Sequence, residues 1–89
     1  MDPLTDFETK IKEVCGEIAD MIIIKNREYG NSYQDSRKYF KDEKIPLIFH
    51  AIEKVKRYEV CGGVDSLWDL AGYAVLEIVC KKEADDDKR

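Results

Sequence analysis

The chain has 89 residues, with 15 Lys and Arg against 19 Asp and Glu, a net charge of −4, and 44% hydrophobic and 38% charged residues. That length makes one domain with a small core, and the acidic balance argues against duplex nucleic acid, because phosphate binding calls for a basic surface. Cys15, Cys61 and Cys80 are widely spaced and His50 is the one histidine, which excludes a zinc ligand set.

The first predicted helix runs from about Leu4 to Tyr29. Asp2-Pro3 suits a helix start, since a first-turn proline loses no hydrogen bond. Thr5 with Glu8 has capping-box spacing and offers a start a few residues later. Leu4, Phe7, Ile11, Val14, Ile18 and Met21 recur at three- and four-residue steps, a helical stripe close to a heptad repeat. Ile22, Ile23 and Ile24 widen it, and Gly30 supplies a left-handed stop. At 1.5 Å per residue this helix reaches about 39 Å. The later helices are shorter, so part of its stripe overhangs. That overhang predicts a homodimer or higher oligomer through the first helix.

Asn31 to Ser36 reads as a polar loop, and Arg37 to Glu43 as a short helix or irregular arm anchored by Tyr39 and Phe40. A second main helix starts at Pro46 and runs to about Val60, with Ile48, Ile52, Val55 and Tyr58 as its apolar face. Gly62-Gly63 ends it. Asp65 or Ser66 caps a third helix that reaches about Lys82 and buries Leu67, Leu70, Ala71, Ala74, Val75 and Ile78, with Trp68 at the flank. Lys81 and Lys82 suit the negative end of its dipole. No segment alternates long enough to make a strand. The expectation is an all-α, three-helix domain over residues 1–82, with a charged tail at 83–89 that frays. The acidic start lacks a signal-peptide core, the thiols suit a reducing compartment, and no apolar run is long enough for a membrane span. These features predict a cytoplasmic protein with no membrane partner.

Residues able to do chemistry fall into an acidic and a basic set. Asp65 and Asp69 are four apart, on one helical face, where two carboxylates can share Mg²⁺; the plainer reading makes Asp65 a cap and Asp69 a solvated residue. Glu13, Glu17 and Asp20 form another acidic edge, which serves equally as a solvated face. Lys54 and Arg57 share a face of the second helix, and Lys25 and Arg27 close the first. If those two helices pack antiparallel, Lys25, Lys54 and Arg57 can gather with Asp65 or Asp69. Such a cluster holds phosphates through charge-assisted hydrogen bonds, or amounts to surface ion pairs worth little. His50 and the cysteines lack partners at a catalytic spacing, and there is no Walker or dinucleotide-binding glycine loop.

The order KNREYGNSY, IEKVKRYEV and VDSLWDLAGYAVL resembles the phage and bacterial family called nucleotide modification associated domain 1. Its members carry a Lys near a Tyr-Gly-x-Ser turn, a Lys-x-x-Arg helix and an Asp-x-x-x-Asp-Leu-x-x-Tyr helix. The matching positions are Lys25, Tyr29, Gly30 and Ser32, then Lys54 and Arg57, then Asp65, Asp69, Leu70 and Tyr73. The resemblance covers Ile22 to Val79 and implies a role in nucleotide metabolism and an architecture similar to all-α NTP pyrophosphohydrolases. Those enzymes hold Mg²⁺ with a Glu-Glu-x-x-Glu helix and a Glu-x-x-Asp helix. Here the first motif is absent and Ser66 stands three residues before Asp69, so two metal ions would lack carboxylate ligands.

Three readings follow. In the first, a small phage-type protein in the host cytoplasm binds an anionic nucleotide or nucleotide-derived signal without turnover and sequesters it against host defence. Tyr29, Tyr33 and Tyr73 would stack a base, with help from Trp68. Lys25, Lys54 and Arg57 would hold phosphates, and Asn31, Ser32 and Asp69 would bond ribose or base edges; no cofactor is required. In the second, a Mg²⁺-dependent hydrolase uses Asp65 and Asp69 as ligands, completed by Glu13, Glu17 or Asp20. In the third, the chain is a non-catalytic oligomeric adaptor.

Overall fold

The computed structural model describes residues 2–87 and places four helices in order: α1 (Asp6–Tyr29), α2 (Ser32–Arg37), α3 (Ile45–Cys61) and α4 (Val64–Asp87). There is no strand among the described residues. The fold is all-α, with four helices where three were expected.

Thr5 sets the start of α1. Its hydroxyl accepts from the Glu8 N–H at 3.1 Å, and the Glu8 carboxylate accepts from the Thr5 N–H at 2.8 Å. This reciprocal box satisfies two donors that a helix start leaves open, so the helix begins at Asp6 rather than Leu4. At the other end Gly30 adopts φ 60°, ψ 50°, which costs a residue without Cβ little. Asn31 follows with φ 61°. Two successive left-handed residues reverse the chain at once, and Ser32 begins a new helix. The expected loop at Asn31–Ser36 is therefore mostly α2, which also takes in Arg37, and the rest of the expected arm, 38–43, is irregular, mostly turns and bends. One residue of α2, Tyr33, is buried; the rest stay polar because this short helix lies on the surface.

Pro46 sits in the first turn of α3 as anticipated. α4 starts at Val64, so Asp65 lies inside its first turn instead of capping it. α4 also continues through Glu83 to Asp87, so the described part of the expected frayed tail is helical; Lys88 and Arg89 lie outside the described residues.

α4 is the centre of the packing. α3 returns along it as an antiparallel hairpin, with His50 against Tyr73 and Lys54 against Asp69. The last turns of α1 cross α4 at Gly72, where an added Cβ would stand 3.4 Å from both Ile22 Cγ1 and Met21 Cε. The absence of that Cβ lets the two backbones close on each other. The third main helix, rather than the second, is thus the one on which the end of the first helix rests. The described chain is flat, 44 × 41 × 23 Å.

The stripes predicted to be buried are largely exposed. Ile48, Ile52, Val55 and Tyr58 of α3 face solvent, while Pro46, Leu47, His50, Ala51 and Lys54 are the residues α3 sinks. On α4 Leu67, Val75 and Ile78 are exposed, and Gly72, Glu77 and Cys80 are buried. Every residue from Asp2 to Glu17 is exposed, and cover begins at Ile18. Among the described residues the buried hydrophobic side chains are Ile22, Tyr33 and Cys80, together with Pro46. Four helices in a flat array offer each apolar face too few neighbours to cover it.

Candidate functional site

The floor of the candidate site is an ion triad drawn from three helices. Asp69, one turn into α4, accepts from Lys25 Nζ of α1 at 3.3 Å through Oδ1 and faces Lys54 Nζ of α3 at 3.2 Å through Oδ2. Glu53 Oε1 lies 3.6 Å from the same Lys54 nitrogen. Lys54 is buried to 7% exposure, a state a lysine tolerates when its charge is paired. Lys25 is more open, its side chain 52% exposed. Burial alone would raise the Asp69 pKa, but the hydrogen bonds and charges of Lys54 and Lys25 outweigh it and hold the carboxyl below its ordinary value. An ammonium has three donors, so donors remain free on both lysines.

Above this floor opens a cleft of about 280 Å³. Its apolar wall is Met21, Ile22, Gly72 and Leu76; its polar and aromatic rim is Asn26, Tyr29, Ser32, Tyr33 and Tyr73. The turn at Gly30-Asn31 keeps both Tyr29 and Ser32 on the lining of this cleft. Tyr33 and Tyr73 stand with ring centroids 6.0 Å apart, tilted by 32°. Behind Tyr73 the His50 ring stacks at 4.2 Å and 7°. His50 thus braces the cleft wall, and its buried Nδ1 has no hydrogen-bond partner.

Behind Tyr33 lies a second polar cluster, which the sequence reading did not pick out. The Tyr33 hydroxyl donates to Glu77 Oε1 at 2.8 Å. Arg37 donates to both Glu77 oxygens, from Nε at 2.9 Å and a terminal nitrogen at 3.0 Å, and also to Glu43 at 3.1 Å. Glu77 is 5% exposed and its charge is met in the two-pronged geometry that suits guanidinium and carboxylate. Burial, then the bond to Glu77, raises the Tyr33 pKa far above that of a free phenol. Burial opposes the Arg37 charge, yet the Glu77 contacts win and raise its pKa. Burial likewise raises the Cys80 thiol. The cluster fixes Tyr33 against α4 and so fixes one wall of the cleft. Glu77 is a lone acid inside an apolar run, VLEIVC, and that contrast was its only signal in the sequence.

Of the residues singled out from the sequence, Lys25, Tyr29, Ser32, Tyr33, Lys54, Asp69 and Tyr73 line one cleft. Four others do not. Arg57 is exposed, lies outside the cleft lining and has no ion pair among the described residues, because the helix turns it away from the Lys54 face. Asn31 accepts from Asn26 Nδ2 at 2.8 Å and faces a separate, wider depression beside α2. Asp65 is exposed one turn before Asp69 and does not share its contacts. Trp68 is half-buried and also lies off the cleft lining. Among the described residues no three His, Cys, Asp or Glu stand together in a way that could hold a metal ion. Glu13, Glu17 and Asp20 are exposed, and none of them lines the cleft that holds Asp69.

No described helix is long and apolar enough to cross a membrane. Compared with protein-family models, curated proteins and solved structures, the chain matches none of them.

Proposed function

We propose that this protein binds a small anionic ligand of the nucleotide class in the Lys25–Lys54–Asp69 cleft, without turnover. The observation that carries the reading is the convergence of two lysines from different helices beneath Tyr29, Tyr33 and Tyr73. Lysines supply charge for phosphate, and tyrosine faces supply a platform for a base, as aromatic side chains do in single-strand nucleic-acid sites. Held this way, a nucleotide signal would be withdrawn from solution, which is sequestration. The resemblance of the three motifs to nucleotide modification associated domain 1 supports the same class of ligand and suggests a phage setting. The cleft volume is near the lower end of ligand pockets, which favours one mononucleotide unit per cleft.

Hydrolysis is the weaker reading, on the donor set itself. Asp69 already answers two lysines, and Asp65 points elsewhere, so a phosphate-bound Mg²⁺ would find one carboxylate where it commonly finds more. Self-association through α1 belongs to the proposal and is supported by the exposed stripe at Phe7, Ile11 and Val14; the adaptor reading rests on that stripe alone.

The test is isothermal titration with a panel of nucleoside mono-, di- and triphosphates and cyclic dinucleotides, with Lys25→Ala as control. Lys25 is open enough to be removed without unfolding the chain. Binding in the micromolar range, weakened tenfold or more by Lys25→Ala, is expected; no member binding below about 100 μM, a free energy near 5.5 kcal/mol, rejects the proposal.

A further inference from the structure

The largest feature without a role is the free part of α1. From Asp6 to Glu17 every residue is exposed, and the segment carries Phe7, Ile11 and Val14 at 74%, 49% and 43% exposure. A helix of this length is marginal in water unless an apolar face is packed. The stripe continues into Ile18, the first half-buried residue of α1.

The charges beside the stripe decide what covers it. Lys10 directly precedes Ile11, and Glu17 directly precedes Ile18, so both lie on the same flank, seven residues apart. Neither has an ion-pair partner among the described residues. In a parallel pair of such helices that flank faces the position five residues further along the other chain. Lys10 would then face Cys15, and Glu17 would face Ile22, with no attraction. In an antiparallel pair the flank faces itself. Setting Ile11 against Val14 of the partner subunit brings Lys10 opposite Glu17 of the partner subunit, and the two-fold axis repeats the contact.

The same register also fits the space available. It sets Phe7 against Ile18 of the partner subunit and puts the axis between Lys12 and Glu13. The partner's helix would therefore begin opposite Ala19, just short of Met21 and Ile22, where α4 takes over the surface of α1. An unrelated apolar peptide would meet neither the alternating charge nor this length.

We infer that α1 is a self-complementary interface: two copies of this chain pair antiparallel along Phe7–Ile18, with Lys10 and Glu17 exchanged across a two-fold axis. Such an isologous contact closes on itself and stops at two helices. The inference deepens the self-association stated above and is independent of any ligand.

Sedimentation equilibrium on the full chain tests it. The wild type should be a dimer, or an even-numbered assembly of dimers. Lys10→Glu and Glu17→Lys each place like charges opposite one another twice, and each should raise the dimer Kd about tenfold or more, with the deficit shrinking at high salt. The double variant Lys10→Glu/Glu17→Lys restores both contacts with their signs exchanged and should return to about the wild-type Kd. Both side chains are exposed and unpaired among the described residues, so the variants keep the fold. A wild type that is monomeric at about 100 μM would overturn self-association itself. A wild-type dimer whose double variant is no tighter than either single one would overturn the antiparallel geometry while leaving association intact.

Discussion

Asp69→Asn separates the two tasks of one carboxylate, and they move in opposite directions. Asp69 neutralises Lys54, which is 7% exposed, and Lys25, which is half open. Breaking a buried pair costs about 3–5 kcal/mol, whereas an exposed pair contributes about 0.2–1 kcal/mol. The Asp69 side chain is 29% exposed, and Glu53 remains near Lys54 at 3.6 Å, so the loss falls between those limits, about 2 kcal/mol. For a chain of this size that lowers Tm by roughly 8–16 °C. Removing the negative charge also raises the local charge by one unit beside any bound phosphate. At about 5 Å and an effective dielectric near 20 the Coulomb gain has an upper limit of about 3 kcal/mol, and salt reduces it to about 1 kcal/mol. Phosphate-bearing ligands should therefore bind roughly five- to tenfold more tightly to a less stable protein. Thermal unfolding by circular dichroism and titration calorimetry read the two effects on one sample. If every nucleotide binds more weakly to Asp69→Asn, the carboxylate is a ligand contact rather than a competitor, and the charge argument is wrong.

Glu77→Leu strands Arg37 and the Tyr33 hydroxyl behind the cleft; a loss of about 3 kcal/mol is expected in chemical denaturation, against about 1–2 kcal/mol for Tyr33→Phe, and equal losses would show that the three groups do not act as one cluster. The acid limb of stability carries Asp69's signature. Its folded pKa lies below its unfolded value, so its contribution is complete above about pH 4 and fades as the pH falls through the folded value. The Tm gap between wild type and Asp69→Asn should then narrow below about pH 4, and a gap constant from pH 6 to the acid limit would contradict the pairing. Thiol reagents should modify exposed Cys61 readily and buried Cys80 last, since burial both covers that thiol and raises its pKa; mass spectrometry of partially labelled native protein gives the order.

Local chemistry was legible in the sequence, and neighbours were not. Thr5 with Glu8, Gly30 and Pro46 each marked a helix end because the effect depends on three or four adjacent residues. α2 was missed because two left-handed residues in succession can stop one helix and start another, and the polar run after them carries no apolar period to read. The apolar stripes of α1 and α3, expected to be buried, are largely exposed, because which face meets which helix is a property of the whole array. That is why Lys54 is buried while Ile52, two residues away, is 58% exposed. The gathering of Lys25, Lys54 and Asp69 was legible as charge spacing; Arg57 was wrongly placed with them, because sharing a helix face with Lys54 to within one turn is too coarse to place two side chains in one cleft. Glu77 and Arg37, 40 residues apart, left no pattern that joined them.

The two aromatic walls of the cleft are braced differently, and the difference bears on how a base would enter. Tyr33 is tied to Glu77 and Tyr73 is stacked on His50. Their centroids are 6.0 Å apart and tilted, while a flat base between two rings needs about 7 Å, two layers of van der Waals contact. A base therefore does not slide between them unless the Glu77 bond or the His50 stack gives way. Tyr29 has no such brace: it is 66% exposed at the last residue of α1, beside the Gly30 turn. Under the binding proposal the base lies against the fixed Tyr33–Tyr73 wall and Tyr29 closes over it, while Lys25, one turn earlier on the same helix, follows the phosphate. Recognition then depends on a rigid wall on α2 and α4 and an adjustable edge on α1. Tyr29→Ala should weaken nucleotide binding while leaving Tm nearly unchanged, and Tyr33→Ala should weaken both.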